Sequence, residues 1–74
     1  MDYREHITIN PEIRFGKACV KNTRITVFEI LVWLSKGMTN DDIINDFPEL
    51  RSEDIHACLA YSADREHKLR HPSI

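Results

Sequence analysis

The sequence predicts a mainly α fold: three helices, the last two in helix-turn-helix order, behind a short N-terminal β-arm, in one domain of 74 residues. Three observations carry that expectation. Residues 7–26, ITINPEIRFGKACVKNTRIT, interleave brief apolar runs with Asn10-Pro11, Gly16 and Asn22, the punctuation of short strands and tight turns. Three hydroxyl residues that cap helices follow at Thr26, Thr39 and Ser52, each with carboxylates in the turn after it. Behind these caps, apolar residues recur at helical spacing, as in Ile55, Cys58 and Leu59. The chain therefore divides into a β-arm at 5–25, a three-helix core at 26–68 and a flexible tail at 69–74.

In chain order, Ile7-Thr8-Ile9 alternates for too few residues to make more than a short edge strand. Asn10-Pro11 turns the chain, and Gly16 supplies a permissive backbone before a second strand at Ala18-Cys19-Val20. Asn22 tolerates the left-handed conformation, and Ile25 closes a third extended piece. Thr26-Val27-Phe28-Glu29 is a capping box, opening a first helix from Val27 to about Lys36 that stops at Gly37. Its apolar arc is wide: Val27, Ile30, Leu31 and Leu34 form the centre, Phe28 and Val32 extend one side and Trp33 the other. A chain this small cannot cover such an arc alone, so part of it is expected to meet another chain. Thr39 caps a second helix, Asn40 to Asp46, with Ile43 and Ile44 inward. Pro48 interrupts, and Ser52 caps a third helix that frays between Glu66 and Arg70.

A domain of this length buries only about 60–65% of the surface its unfolded chain exposes, so oligomerisation is a natural support. Two short strands also need edge partners. A homodimer is expected, with Ile7, Ile9, Phe28, Val32 and Trp33 at its interface. Cys19 and Cys58 sit among apolar neighbours and read as reduced core residues. No apolar run is long enough to span a membrane and the acidic, polar start is no signal peptide, so a cytoplasmic protein is expected.

The net charge of −2 conceals a division along the chain. Arg14, Lys17, Lys21, Arg24 and Lys36 face Glu29 alone across residues 14–36, whereas residues 37–64 carry seven carboxylates against Arg51. Residues 65–74 turn basic again through Arg65, Lys68 and Arg70.

That division weighs on each chemistry the chain might perform. His6, His56, His67 and His71 share no ligand spacing with the cysteines, and Gly16 and Gly37 are too few for a phosphate loop. No catalytic residue, metal or cofactor is expected. The helix-turn-helix order raises DNA binding, yet the start of the last helix, Ser52-Glu53-Asp54, would meet phosphates with like charge. Arg14, Lys17, Lys21 and Arg24 on the β-arm are the better DNA-binding candidates. Against that stands a plainer reading, in which Lys17 and Arg24 pair with Glu12 or Glu29 and the turns merely turn.

Several of these residues fall into a pattern: Ile7, Asn10-Pro11-Glu12-Ile13, Gly16-Lys17, Thr23-Arg24-Ile25, Gly37-Met38-Thr39, Ile43, Pro48-Glu49-Leu50, Asp54-Ile55 and Ala60-Tyr61. The pattern spans nearly the whole chain and resembles the bacterial and archaeal family called domain of unknown function 433. Phe15 stands where the first glycine of a pair is usual, Ala18 where proline is usual and Asn22 where glycine is usual. The resemblance implies a homeodomain-like domain with a β-arm, dimerisation and, for many members, service as the antitoxin of a type II pair beside a PIN-like ribonuclease. The expected function is thus an antitoxin that neutralises a PIN-like endoribonuclease, with repression of its own operon as a second role. The alternative is a stand-alone DNA-binding regulator without a toxin. Arg65, Lys68, Arg70 and His71 are the expected toxin-binding residues, an arm suited to a carboxylate-rich nuclease site. In the plainer reading those cations complement the negative end of the third helix.

Overall fold

The computed structural model describes residues 2–69. Two strands, β1 (Ile7–Thr8) and β2 (Cys19–Val20), pair antiparallel with Ile7 opposite Val20 and Thr8 opposite Cys19. Lys21-Asn22 then reverses the chain, Asn22 taking a left-handed φ of +66°. Thr23 staples this reversal: its hydroxyl donates to the Val20 carbonyl at 2.8 Å and accepts from the Ile25 amide at 3.0 Å. The returning segment lies along β2, with the Val20 amide donating to the Ile25 carbonyl and the Val27 amide to the Ala18 carbonyl, both at 2.9 Å. This is the third extended piece.

Helix α1 (Val27–Ser35) starts at the capping box expected from Thr26 and Glu29. It ends at Gly37, whose φ of +94° only glycine adopts freely. The Gly37 amide bonds the Leu34 carbonyl and the Met38 amide the Trp33 carbonyl, which satisfies two of the helix's last carbonyls in a Schellman turn. Helix α2 (Asn40–Asp46) carries a second reciprocal cap: Thr39 Oγ1 accepts from the Asp42 amide, and the Asp42 carboxylate accepts from the Thr39 amide.

Helix α3 (Ser52–Leu69) corrects three expectations. Its cap is Arg51 rather than Ser52, because the Asp54 carboxylate reaches back to accept from the Arg51 amide at 2.9 Å while the Arg51 carbonyl takes the first helical bonds. Leu59 is exposed, the inward line running through Ile55, Ala57 and Cys58 instead. The helix also continues through Arg65 and Lys68 to Leu69, since nothing between Ala63 and Leu69 breaks it. Arg65 is therefore a helical residue and not part of an arm. Arg70 and His71 lie outside the described residues.

The three helices and the strands share one core of Val20, Ile25, Val27, Ile30, Ile43, Leu50, Ile55 and Cys58. Both cysteines are free and buried, Cys58 within this core, and burial pushes the Cys58 thiol up to about 12, so it behaves as a small apolar residue. Ahead of β1, a turn at Tyr3–Glu5 lies against α3. The Tyr3 hydroxyl donates to Asp64, its ring meets Tyr61 edge-on at 5.6 Å, and His6 Nδ1 lies 3.0 Å from Asp54 Oδ1. Two carboxylates of the acidic stretch 37–64 thus hold the N-terminal segment. Among the described residues no helix is long and apolar enough to cross a membrane.

Candidate protein-interaction surface

Between β1 and β2 the chain makes a turn that most sequences avoid. Arg14, Phe15 and Gly16 take φ values of +51°, +60° and +81°, three consecutive left-handed residues. The Gly16 amide donates to the Ile13 carbonyl at 3.1 Å and the Lys17 amide to the Arg14 carbonyl at 3.2 Å, closing the turn. A Cβ in this conformation crowds its own carbonyl, at a cost of about 1–2 kcal/mol per residue. Two of the three residues carry one.

Arg14 has a compensating role. Its Nη1 donates to Glu29 Oε1 at 3.0 Å and to the Arg24 carbonyl at 2.7 Å, tying the β-arm to the first turn of α1. Glu29 also accepts from the Thr26 amide and hydroxyl, and the amide bond above all holds its carboxyl below the ordinary range. Of the four cations expected to meet DNA, Arg14 is thus engaged within the chain. Lys17, Lys21 and Arg24 are exposed, and among the described residues no carboxylate pairs with them. The ion pair anticipated for Lys17 or Arg24 forms at Arg14 instead.

Phe15 has no such compensation. It is 96% exposed, the most exposed large apolar residue among those described, and Phe28 and Ile9 follow at 67% and 58%. Phe28 and Ile9 line a groove of about 760 Å³ between the β-arm, the start of α1 and the end of α3, and Phe15 directly precedes Gly16 at its edge. Ile9, Ala18, Val27, Phe28 and Leu31 supply its apolar lining, Gly16 brings the left-handed turn to its edge, and Lys17, Arg65 and Glu66 supply its charge. Arg65 sits over the Tyr61 ring with its guanidinium carbon 5.6 Å from the centroid.

The fold redistributes the residues expected at a dimer interface. Ile9 and Phe28 line the groove, joining Arg65 from the set expected to bind a toxin. Trp33 stacks on Phe47 of its own chain, centroids 4.6 Å apart and planes 11° from parallel. Val32 is half-buried, and Ile7 packs against the core. Sequence reasoning missed Phe15 and the groove itself; the only signal was an aromatic residue beside a turn glycine. Among the described residues no cluster of histidine, cysteine and carboxylate side chains could hold a metal ion.

Residues 7–62 match the family described as protein of unknown function DUF433. A crystal structure of a DUF433 member protein from Anabaena variabilis superposes with a TM-score of 0.79 at 26% sequence identity, over 88% of this chain and 64% of that one. The chain thus spans about two thirds of that protein's length. No curated protein matches. The family match over most of the chain, with a closely similar three-dimensional arrangement in a second member, makes this protein a member of the DUF433 family.

Proposed function

We propose that this protein is the antitoxin of a type II toxin–antitoxin pair and that it binds and neutralises a PIN-like endoribonuclease. The observation that carries the reading is the groove, with Ile9 and Phe28 in its lining, Phe15 next to Gly16 at its edge and Arg65 above Tyr61. Exposed aromatic residues gathered around an apolar groove mark a protein-binding surface. Aromatic and arginine side chains are also those that most often dominate binding energy. In this reading the chain is a binding protein rather than an enzyme, and it works in the cytoplasm beside its nuclease.

The α2–α3 pair serves as a homeodomain-like scaffold, its acidic start directed away from nucleic acid. A homodimer forms by pairing of β1 edges, since among the described residues no strand pairs with the second edge of β1. A second reading, operator binding by the β-arm, draws on the exposure of Lys21 and Arg24 at the Asn22 reversal. It accompanies the first, because an antitoxin can both neutralise and repress.

Co-expression with the product of the adjacent gene tests the central proposal. A stable complex should co-purify, and ribonuclease activity should appear only when this chain is removed. If the adjacent product carries no carboxylate-rich nuclease site and no complex is recovered, the antitoxin reading fails.

A further inference from the structure

The groove and the left-handed turn beside it are better explained together than apart. A phenylalanine in the left-handed region is disfavoured in the folded chain and contributes nothing to its core, being almost wholly exposed. Strain of this kind persists where function requires the side chain in that place. A glycine at 15 would relieve the turn. What phenylalanine adds is an exposed aromatic ring one residue before Gly16, which lines the groove.

We propose that the groove receives an acidic amphipathic segment of the partner nuclease and that Phe15 is the anchor of that contact. The proposal rests on the antitoxin reading above and names the element that the toxin contributes. Charge selects the occupant. Lys17 and Arg65 line the groove against Glu66. Glu29, the nearest carboxylate on α1, is already paired with Arg14. A segment with one apolar face and flanking carboxylates complements this arrangement, the apolar face on Phe28, Leu31 and Phe15 and the carboxylates toward Lys17 and Arg65. A second copy of this chain fits less well. A two-fold interface places the same patch on itself, so Lys17 and Arg65 would be gathered against their own copies with only Glu66 to offset them.

The test uses the complex of the full chain with the PIN-like product of the adjacent gene, titrated calorimetrically. Phe15→Gly should melt at a higher temperature than the wild type, because it relieves the turn, and yet bind the nuclease at least about 30-fold more weakly, as loss of a hot-spot residue does. Loss of binding in a more stable variant cannot be ascribed to misfolding. Arg65→Glu should weaken binding most at low salt, and Glu49→Gln, outside the groove, should leave it unchanged. Wild-type affinity for the nuclease in the Phe15→Gly variant overturns the proposal while the antitoxin reading stands. A wild-type dimer that Phe15→Gly converts to monomer assigns the groove to a second copy and also overturns it. A lower melting temperature for Phe15→Gly removes its premise. If the wild type itself binds no nuclease, the antitoxin reading fails and takes the groove proposal with it.

Discussion

Glu29 accepts three hydrogen bonds on one oxygen, from the Thr26 amide, the Thr26 hydroxyl and Arg14 Nη1. Its carboxyl is held below the ordinary value of 4.5, chiefly by the Thr26 amide. A carboxylate with a depressed folded pKa contributes stability that is fully present above its unfolded value. That contribution is lost as pH falls from about 4.5 through the folded pKa. Urea melts between pH 7 and pH 3 should show a loss over the acid part of this range. Glu29→Gln keeps a side chain able to cap but cannot ionise, so its acid slope should be shallower. At pH 7 it should cost about 0.5–1 kcal/mol, a modest figure because the ion pair is about one-third exposed. Asp42, whose carboxyl is likewise lowered by the Thr39 amide, supplies slope that remains in the variant. Identical acid slopes in the two proteins would remove Glu29 from this role. Much of this site was legible in residues 26–29, where a hydroxyl and a glutamate three apart announce their reciprocal bonds. Arg14 as the partner was not legible, because that bond spans 15 residues and depends on a left-handed turn. The glycine in that turn was a sign of unusual backbone; the phenylalanine before it was not.

At the scale of elements, helix starts and stops followed from local chemistry and were read closely. Asn40–Asp46 has the anticipated bounds, and α1 falls one residue short of Lys36. Local capping depends on residues three or four apart, which sequence displays directly. What each helix face meets depends on residues far along the chain. A helical wheel put Trp33 on the margin of an apolar arc and so at a contact with another chain, whereas the connection after α2 brings Phe47 back to stack on it. Tyr3 and His6 escaped notice for the same reason, their partners Asp64 and Asp54 lying 61 and 48 residues away. The Trp33–Phe47 stack gives the helix pair its own optical reporter. Phe47→Ala should shift Trp33 emission to the red and cost roughly 2 kcal/mol, less than the ~3–5 of a fully buried phenylalanine because Phe47 is only half-buried. In the wild type the emission should not change on dilution, since the ring that covers Trp33 belongs to the same chain. Emission that moves with protein concentration would return Trp33 to an intermolecular contact.

For the whole molecule, the fold brings together charge blocks that lie apart along the chain. The carboxylates of α2 and the start of α3 lie along the second half, while Lys17 from the arm and Arg65 from the end of α3 meet at one groove. Counting charges revealed the blocks, but only the fold brings two separate basic blocks together, and this joins residues first assigned to different partners. The arm's remaining cations permit a sharp test of the second role. Lys21 and Arg24 flank the Asn22 reversal, are exposed and do not line the groove. If they neutralise operator phosphates, log Kd against log salt concentration should flatten by about 0.9 for each contact removed in Lys21→Ala and Arg24→Ala, with affinity for non-cognate DNA falling in parallel. Nuclease binding should persist in both variants because the groove is untouched. Lys17→Ala should differ from them, weakening nuclease binding from its place in the groove. Arg14→Ala should not behave as a loss of one phosphate contact, since its guanidinium is held by Glu29 and the Arg24 carbonyl; it should instead lower the melting temperature. Operator affinity and salt slope unchanged in both Lys21→Ala and Arg24→Ala would show that the β-arm does not carry DNA binding. The acidic start of α3 would not then become the reader in its place, because Glu53 and Asp54 would repel the backbone that any reader must approach.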